Sequence, residues 1–314
     1  MALDSNKKFE LVANSLLILL SILCIAGLLK ASYALALGLI WGWFFAGSHS
    51  LPLGSWAGLL LKVAIVLLGF TLPFDELVSN AGGNFWLTVL VIGGAIVLGL
   101  LLGKLLKTDN KQNWLISSGT AICGGSAIAA VGSSIKANQQ QMVISLAIVF
   151  LLNAVALFTY PAIGHWLELG QKQFGVWAAL GIHDTSSVVG AAADYGKQAL
   201  EVATTTKLAR ALWIIPVALI ASIVAHSGKW RLNIPLFIIF FLLASSLGSW
   251  LDMSPLTNYI QPAAKNLFAM SLLWMGTSLN KQAIKAIPFK AMLLGIILWL
   301  ILSIGTLLVV LYWL

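Results

Sequence analysis

Apolar runs long enough to cross a lipid bilayer follow one another along almost the whole chain, with short polar connections between them. A hydrocarbon core about 30 Å thick needs roughly 17–25 apolar residues per helical crossing. Runs of that kind begin near Leu11, Ser32, Gly54, Asn84, Trp114, Gln141, Gln173, Gln198, Ile234, Asn258 and Ile287. The pattern predicts an all-α polytopic membrane protein with eleven transmembrane helices. Lys7 and Lys8 ahead of the first run give it the outline of a secretory signal. Its length, the lack of a convincing small-residue cleavage site and the runs that follow at once make an uncleaved first helix, over residues 1–31, the expected form.

Three short strings recur in the same order at nearly one spacing. Ala36-Leu37-Gly38-Leu39 returns as Ala179-Leu180-Gly181-Ile182, and Lys62-Val63-Ala64 as Lys207-Leu208-Ala209. Val131-Gly132-Ser133-Ser134-Ile135 returns as Met275-Gly276-Thr277-Ser278-Leu279, the offsets being 143, 145 and 144 residues. The spacing predicts an internal duplication pairing spans two to six, residues 32–160, with spans seven to eleven, residues 173–314. Five spans per copy is an odd number, so the copies are expected to insert upside down relative to each other.

Composition agrees with a membrane protein. Of 314 residues, 60% are hydrophobic and 9% charged, whereas a soluble domain has about a quarter of its residues charged. The formal charge of +8 points to acidic partners in a soluble protein; here most basic residues fall in short connections, where they set orientation. With a cytoplasmic N-terminus, Lys7, Lys8, Lys104, Lys107, Lys111, Lys172, Lys229, Arg231, Lys281, Lys285 and Lys290 lie inside, eleven against the three of Lys30, Lys136 and Lys197 outside. The chain is therefore expected to be N-in and C-out. Cys24 and Cys123 both lie within apolar runs, so no disulfide framework is expected.

Four basic residues remain inside spans: Lys62, Lys207, Arg210 and Lys265. Lys62 and Lys207 each lie eight or nine residues into their runs, about 12–14 Å deep at 1.5 Å per residue. Arg210 follows Lys207 by three positions and shares its helix face. Charges at that depth cost at least about 2.5–3.5 kcal/mol and face a protein interior or a watery cavity. Asp184, beside His183, is the one acid clearly within a span, and is suited either to exchange a proton or hold a cation, or to serve as counter-ion to Arg210 or Lys207.

Span five is interrupted by Ser117-Ser118-Gly119-Thr120-Ala121-Ile122-Cys123-Gly124-Gly125-Ser126. So many small residues predict an unwound segment whose following half-helix offers N–H groups and a positive dipole end to an anion; close helix packing is the plainer use of such residues. The matching stretch of span ten, Gln261-Pro262-Ala263-Ala264-Lys265-Asn266, predicts a second break at Pro262; an intact helix with Pro262 in its first turn is the alternative. Enzyme motifs are absent: there is no Gly-x-Ser-x-Gly, no Walker ending after the glycines and no His-Glu-x-x-His. No metal-ligand cluster or cofactor motif is present either.

The run Gly119-Thr120-Ala121-Ile122-Cys123-Gly124-Gly125-Ser126-Ala127-Ile128-Ala129-Ala130, together with Gly181-Ile182-His183-Asp184 and Lys207-Leu208-Ala209-Arg210, closely resembles the YeiH-like sulfate exporter family of bacterial inner-membrane proteins. The resemblance covers nearly the whole chain. It implies export of sulfate or a related sulfur oxyanion across the cytoplasmic membrane. It also implies an architecture similar to the sodium/proton antiporter and bile-acid symporter group, with inverted five-helix repeats and broken crossing helices.

The expected function is secondary transport of a small oxyanion, with Asp184 and His183 linking it to protons. Lys62, Lys207, Arg210, Lys265, Asn266 and the backbone and side chains of Gly119, Thr120, Cys123, Gly124, Gly125 and Ser126 are the expected binding residues. Expected partners are the anion, the bilayer and a second copy of the chain in a homodimer, with no nucleic acid. A cation/proton antiporter centred on Asp184, and a non-transporting scaffold or sensor, stay open as alternatives.

Overall fold

A computed structural model describes residues 2–45, 53–71, 74–75, 79, 82, 85–224, 236–251, 254–277, 285 and 287–313. Among the described residues the chain forms fourteen helices and no strand. They are α1 (Ala2–Ile25), α2 (Ala31–Phe45), α3 (Leu53–Gly69), α4 (Phe85–Leu105), α5 (Asn110–Ala121), α6 (Gly125–Ser134) and α7 (Gln139–Trp166). There follow α8 (Gln171–Gly181), α9 (Thr185–Tyr195), α10 (Lys197–Ala211), α11 (Ile214–Val224), α12 (Leu236–Trp250), α13 (Ser254–Thr277) and α14 (Phe289–Trp313). They fall into two compact units, one of residues 1–74 and 236–285, the other of 75–235 and 286–314, so each draws on both halves of the sequence.

The first unit is built on α13. Gly276 lies against the backbone of α2, and a Cβ on Gly42 would come within 2.7 Å of the Thr277 carbonyl oxygen, so α2 and α13 touch main chain to main chain. On α1, Ala13, Leu17, Leu20 and Cys24 form a buried stripe against Trp41 and Leu273. Because lipid is as apolar as leucine, close packing and hydrogen bonds hold such helices, not escape from water. The bonds are present: Trp41 Nε1 donates to the Ala13 carbonyl (3.0 Å) and Ser271 Oγ to that of Ala57 (2.8 Å).

The second unit holds four helices long and apolar enough to cross a membrane, Phe85–Leu105, Gln140–Trp166, Lys197–Ala221 and Phe289–Trp313. Two helix hairpins lie between them in sequence. In the first, α5 runs inward, the chain turns at residues 122–124, and α6 returns beside it. Gly119 of α5 faces Ile128 of α6, Leu115 faces Gly132, and Lys111 Nζ reaches the Lys136 carbonyl (2.8 Å), an antiparallel register. Asp109 caps α5, accepting from Gln112 N (3.0 Å), and also accepts from Gln141 Nε2 (2.8 Å). Gln141 belongs to the capping box with Asn138 that starts α7. The open end of this hairpin therefore lies at the start of α7.

The second hairpin, α8 and α9, turns at residues 182–184. Tyr195 at its far end stacks on Phe174 (3.7 Å) and His165 (4.4 Å) and donates to the Leu169 carbonyl (2.7 Å), which brings the end of α9 back to the start of α8. Gln171 Oε1 accepts from Gln198 N (3.0 Å), and Lys207 meets the end of α8, so α8 and α10 run parallel. This open end lies at the end of α7. The two hairpins thus enter from opposite ends of the 28-residue α7.

These elements amend the sequence reading. Spans five and seven double back instead of passing through, and span ten is unbroken, with Pro262 inside the continuous α13. The second break is at 182–184, in span seven. Of the repeated strings, Val131–Ser134 lies on the returning arm α6 and Met275–Thr277 within the continuous α13, while Lys62–Ala64 and Lys207–Ala209 both lie within helices, α3 and α10. Ser278, Leu279, Lys229, Arg231 and Lys281 lie outside the described residues.

Candidate functional site

A helix leaves its last four carbonyls and first four N–H groups without partners inside the helix. Ending two helices at each hairpin tip brings such groups into the interior, where each needs a partner. On α5, Ser118 and Gly119 carbonyls accept from Ile122 N (3.0 Å) and Gly124 N (2.9 Å), a closure that uses the positive φ of Gly124 (66°). Arg210 takes the next two: Nε donates to the Ala121 carbonyl (2.6 Å) and Nη2 to that of Thr120 (3.1 Å). Its Nη1 reaches the other hairpin, donating to the carbonyls of Ala179 (3.0 Å) and Leu180. One guanidinium therefore ties the C-terminal ends of α5 and α8 together.

Lys207, one turn before Arg210 on α10, donates to the Ile182 carbonyl (2.7 Å) and that of Ala179 (3.3 Å). Both cations are fully buried. Each helix C-terminus carries about half a negative charge, so the two ends together match one guanidinium. Asp184 caps α9, accepting from Ser186 N (3.1 Å) and from the Ser186 hydroxyl. Asn153 Oδ1 accepts from His183 N (3.1 Å) and Asp184 N (3.2 Å). Asn153 is at the middle of α7, and Val149, one turn earlier, packs on Gly119 and Gly124. The two tips therefore meet against the centre of α7. Behind the second tip, Gly181 leaves room for Tyr160, whose hydroxyl bonds Ser303 Oγ of α14 (2.5 Å).

Of the residues expected from sequence, Gly119, Thr120, Cys123, Gly124, Gly125, His183, Asp184, Lys207 and Arg210 converge at this junction, and Ser126 opens α6 there. Lys62 is exposed on α3, and Lys265 and Asn266 are half-buried on α13, all three in the first unit. Asn266 Nδ2 donates to the Ile25 carbonyl at the end of α1 (2.8 Å). Asn153 was not read from sequence; a lone Asn in the apolar run of α7 was its signal. Thr120 Oγ1, Asn153 Nδ2 and both ring nitrogens of His183 are buried without a partner among the described residues. No group of three metal-ligating side chains occurs among the described residues.

The architecture defines an all-helical polytopic membrane protein with a buried polar centre where two helix hairpins meet. The chain belongs to the family described as Conserved hypothetical protein 698, whose model matches residues 11–295, in agreement with the resemblance seen in the sequence. It is 43% identical over 279 residues to a UPF0324 membrane protein of Porphyromonas gingivalis, covering 87% of this chain and 84% of that one. It is 40% identical over 296 residues to one from Photobacterium profundum (94% and 91% covered). To one from Shewanella oneidensis it is 44% identical over 254 residues (81% and 80%). No solved structure matches the chain.

Proposed function

We propose that the chain is a secondary transporter, not an enzyme, that moves a small oxyanion, sulfate or a related sulfur oxyanion, across the cytoplasmic membrane. The observation that carries this reading is the pair of opposed hairpins whose tips meet at mid-α7 around Lys207 and Arg210. Arms of 10–12 residues reach about 15–18 Å, half the bilayer core. Non-helical backbone at that depth is tolerated only within protein or along a watery route. In transporters the positive ends of interrupted helices receive anionic groups.

Hairpins that enter from opposite ends of α7 also suit an inverted repeat, with the hairpins as counterparts. In that repeat α6 and α9 start 60 residues apart, at Gly125 and Thr185, in place of the spacing of 144. The orientation expected from basic residues survives the change. With both hairpins re-entrant, Lys136 and Lys172 exchange sides, and the inside-to-outside ratio stays eleven to three. Asp184 supplies the proton link, being the acid at the junction.

The test is flux in proteoliposomes containing the purified protein. Uptake of labelled sulfate or thiosulfate that saturates and depends on the protein is the expected result. Sodium or potassium exchange for protons with no anion requirement identifies a cation antiporter instead, and the absence of either flux leaves a scaffold or sensor.

A further inference from the structure

We propose that the oxyanion is received at the start of α6, with the side-chain amide of Asn153 as its donor, and not at the start of α9. The proposal rests on the transport reading and assigns its substrate subsite. The two tips are alike in plan and finished differently. At the second, Asn153 Oδ1 takes the N–H groups of His183 and Asp184, and the Asp184 carboxylate takes that of Ser186. The carboxylate is thus a built-in anion on the positive end of α9, with the Lys207 ammonium on the neighbouring Ile182 carbonyl.

At the first tip the N-cap is Gly124, which has no side chain to offer. The first backbone bond into α6 is Ile128 N to the Gly124 carbonyl (3.1 Å). The N–H groups of Gly125 and Ser126 have no acceptor among the described residues, and Ser126 is exposed while Gly125 is half-buried. The positive end of α6 therefore has N–H donors, about half a charge and an open side, but no carboxylate.

Asn153 supplies the independent sign of a ligand. Its amide orientation is fixed, because the oxygen must be the atom that accepts two N–H bonds. The nitrogen is then a donor, in a residue 3% exposed, with no partner among the described residues. Through its oxygen, Asn153 is held at the second tip where that tip meets the first. A Cβ on Gly124 would lie 3.5 Å from both Cα and Cβ of Asp184, the residue whose N–H bonds Asn153, and 3.2 Å from Val149 one turn before Asn153. Leaving such a donor unpaired carries a desolvation cost, which an acceptor recovers. The groups offered here, two backbone N–H and one amide N–H, are all donors. They select a ligand with several acceptor oxygens and reject a cation.

The experiment measures sulfate- and thiosulfate-dependent thermal stabilisation of the purified full-length protein for wild type, Asn153→Asp and Gly125→Pro. Asn153→Asp keeps an acceptor for His183 N and Asp184 N while replacing the free donor with a second acceptor oxygen. Gly125→Pro deletes one N–H at the first helical position, where proline is tolerated and an added Cβ meets Leu146 at an ordinary 3.4 Å. Each variant should weaken anion affinity about tenfold or more. Wild-type affinity in both overturns the proposal while leaving anion transport standing. No anion response in wild type sinks the transport reading and the subsite with it. Should Asn153→Asp fail to fold, Gly125→Pro decides alone.

Discussion

At the level of single residues, the basic side chains found by their depth turn out to hold the backbone. Lys207 and Arg210 spend their donors on carbonyls at the ends of α5 and α8. Arg210→Leu strips partners from several buried carbonyls and should lower stability by roughly 3–5 kcal/mol, read as a lost or sharply lowered thermal transition in detergent. Arg210→Lys keeps the charge but not the planar fork that reaches two helix ends, and should fall between the two. Asp184→Asn retains an oxygen to cap α9, so the stability change should stay below about 1 kcal/mol. Anion affinity should tighten as pH falls in wild type, since protonation removes the negative charge nearest the subsite, and should lose that dependence in Asp184→Asn. Equal profiles make Asp184 a helix cap and nothing more. Sequence located these charges because a cation in an apolar run is conspicuous. Asn153 is neutral and solitary, and its role exists only through the tip it binds.

Among the elements, the hairpins explain why the break in α5–α6 was legible and its partner was not. The first is announced by consecutive glycines. The second is announced by Asp184-Thr185-Ser186, an N-cap followed by helix, which reads as a polar patch when the surrounding run has the length of one crossing. Two arms of 10–12 residues contain as many apolar residues as a single span, so length alone does not separate passing through from turning back. Pro262 misled because a missing donor inside a long, half-exposed helix costs one bond without ending it. Adjacent glycines at the first tip give a sharp contrast. Gly124 has φ 66° and an added Cβ 3.2 Å from Val149, so Gly124→Ala should cost about 1–3 kcal/mol. Gly125 has helical geometry and ordinary space, so Gly125→Ala should be neutral in the same unfolding assay. Equal losses at both positions count against a turn that depends on the Gly124 conformation.

For the whole molecule, the proposed re-entrant hairpins change which connections are expected to share a side of the membrane without changing the sides expected for the two termini. Removing two crossings from the expected eleven leaves an odd number, so either topology puts the N- and C-termini on opposite sides. The distinction falls on the connections flanking α7. If α5–α6 is a hairpin, Lys107 before it and Lys136 after it face the same side, as their hydrogen-bonded neighbours Lys111 and Gln141 require. If the segment is a through span, they face opposite sides. Lys172 and Lys197, flanking the second hairpin, should likewise share a side, the one opposite to Lys107 and Lys136. Both native thiols, Cys24 and Cys123, are buried, which gives a quiet background for labelling. Single cysteines at positions 107, 136, 172 and 197 should therefore react with a membrane-impermeant maleimide in two pairs. In intact cells 172 and 197 should label, while 107 and 136 should label only after the membrane is opened. A pattern in which 107 and 136 separate restores the crossing at span five and removes the geometric basis for two opposed tips.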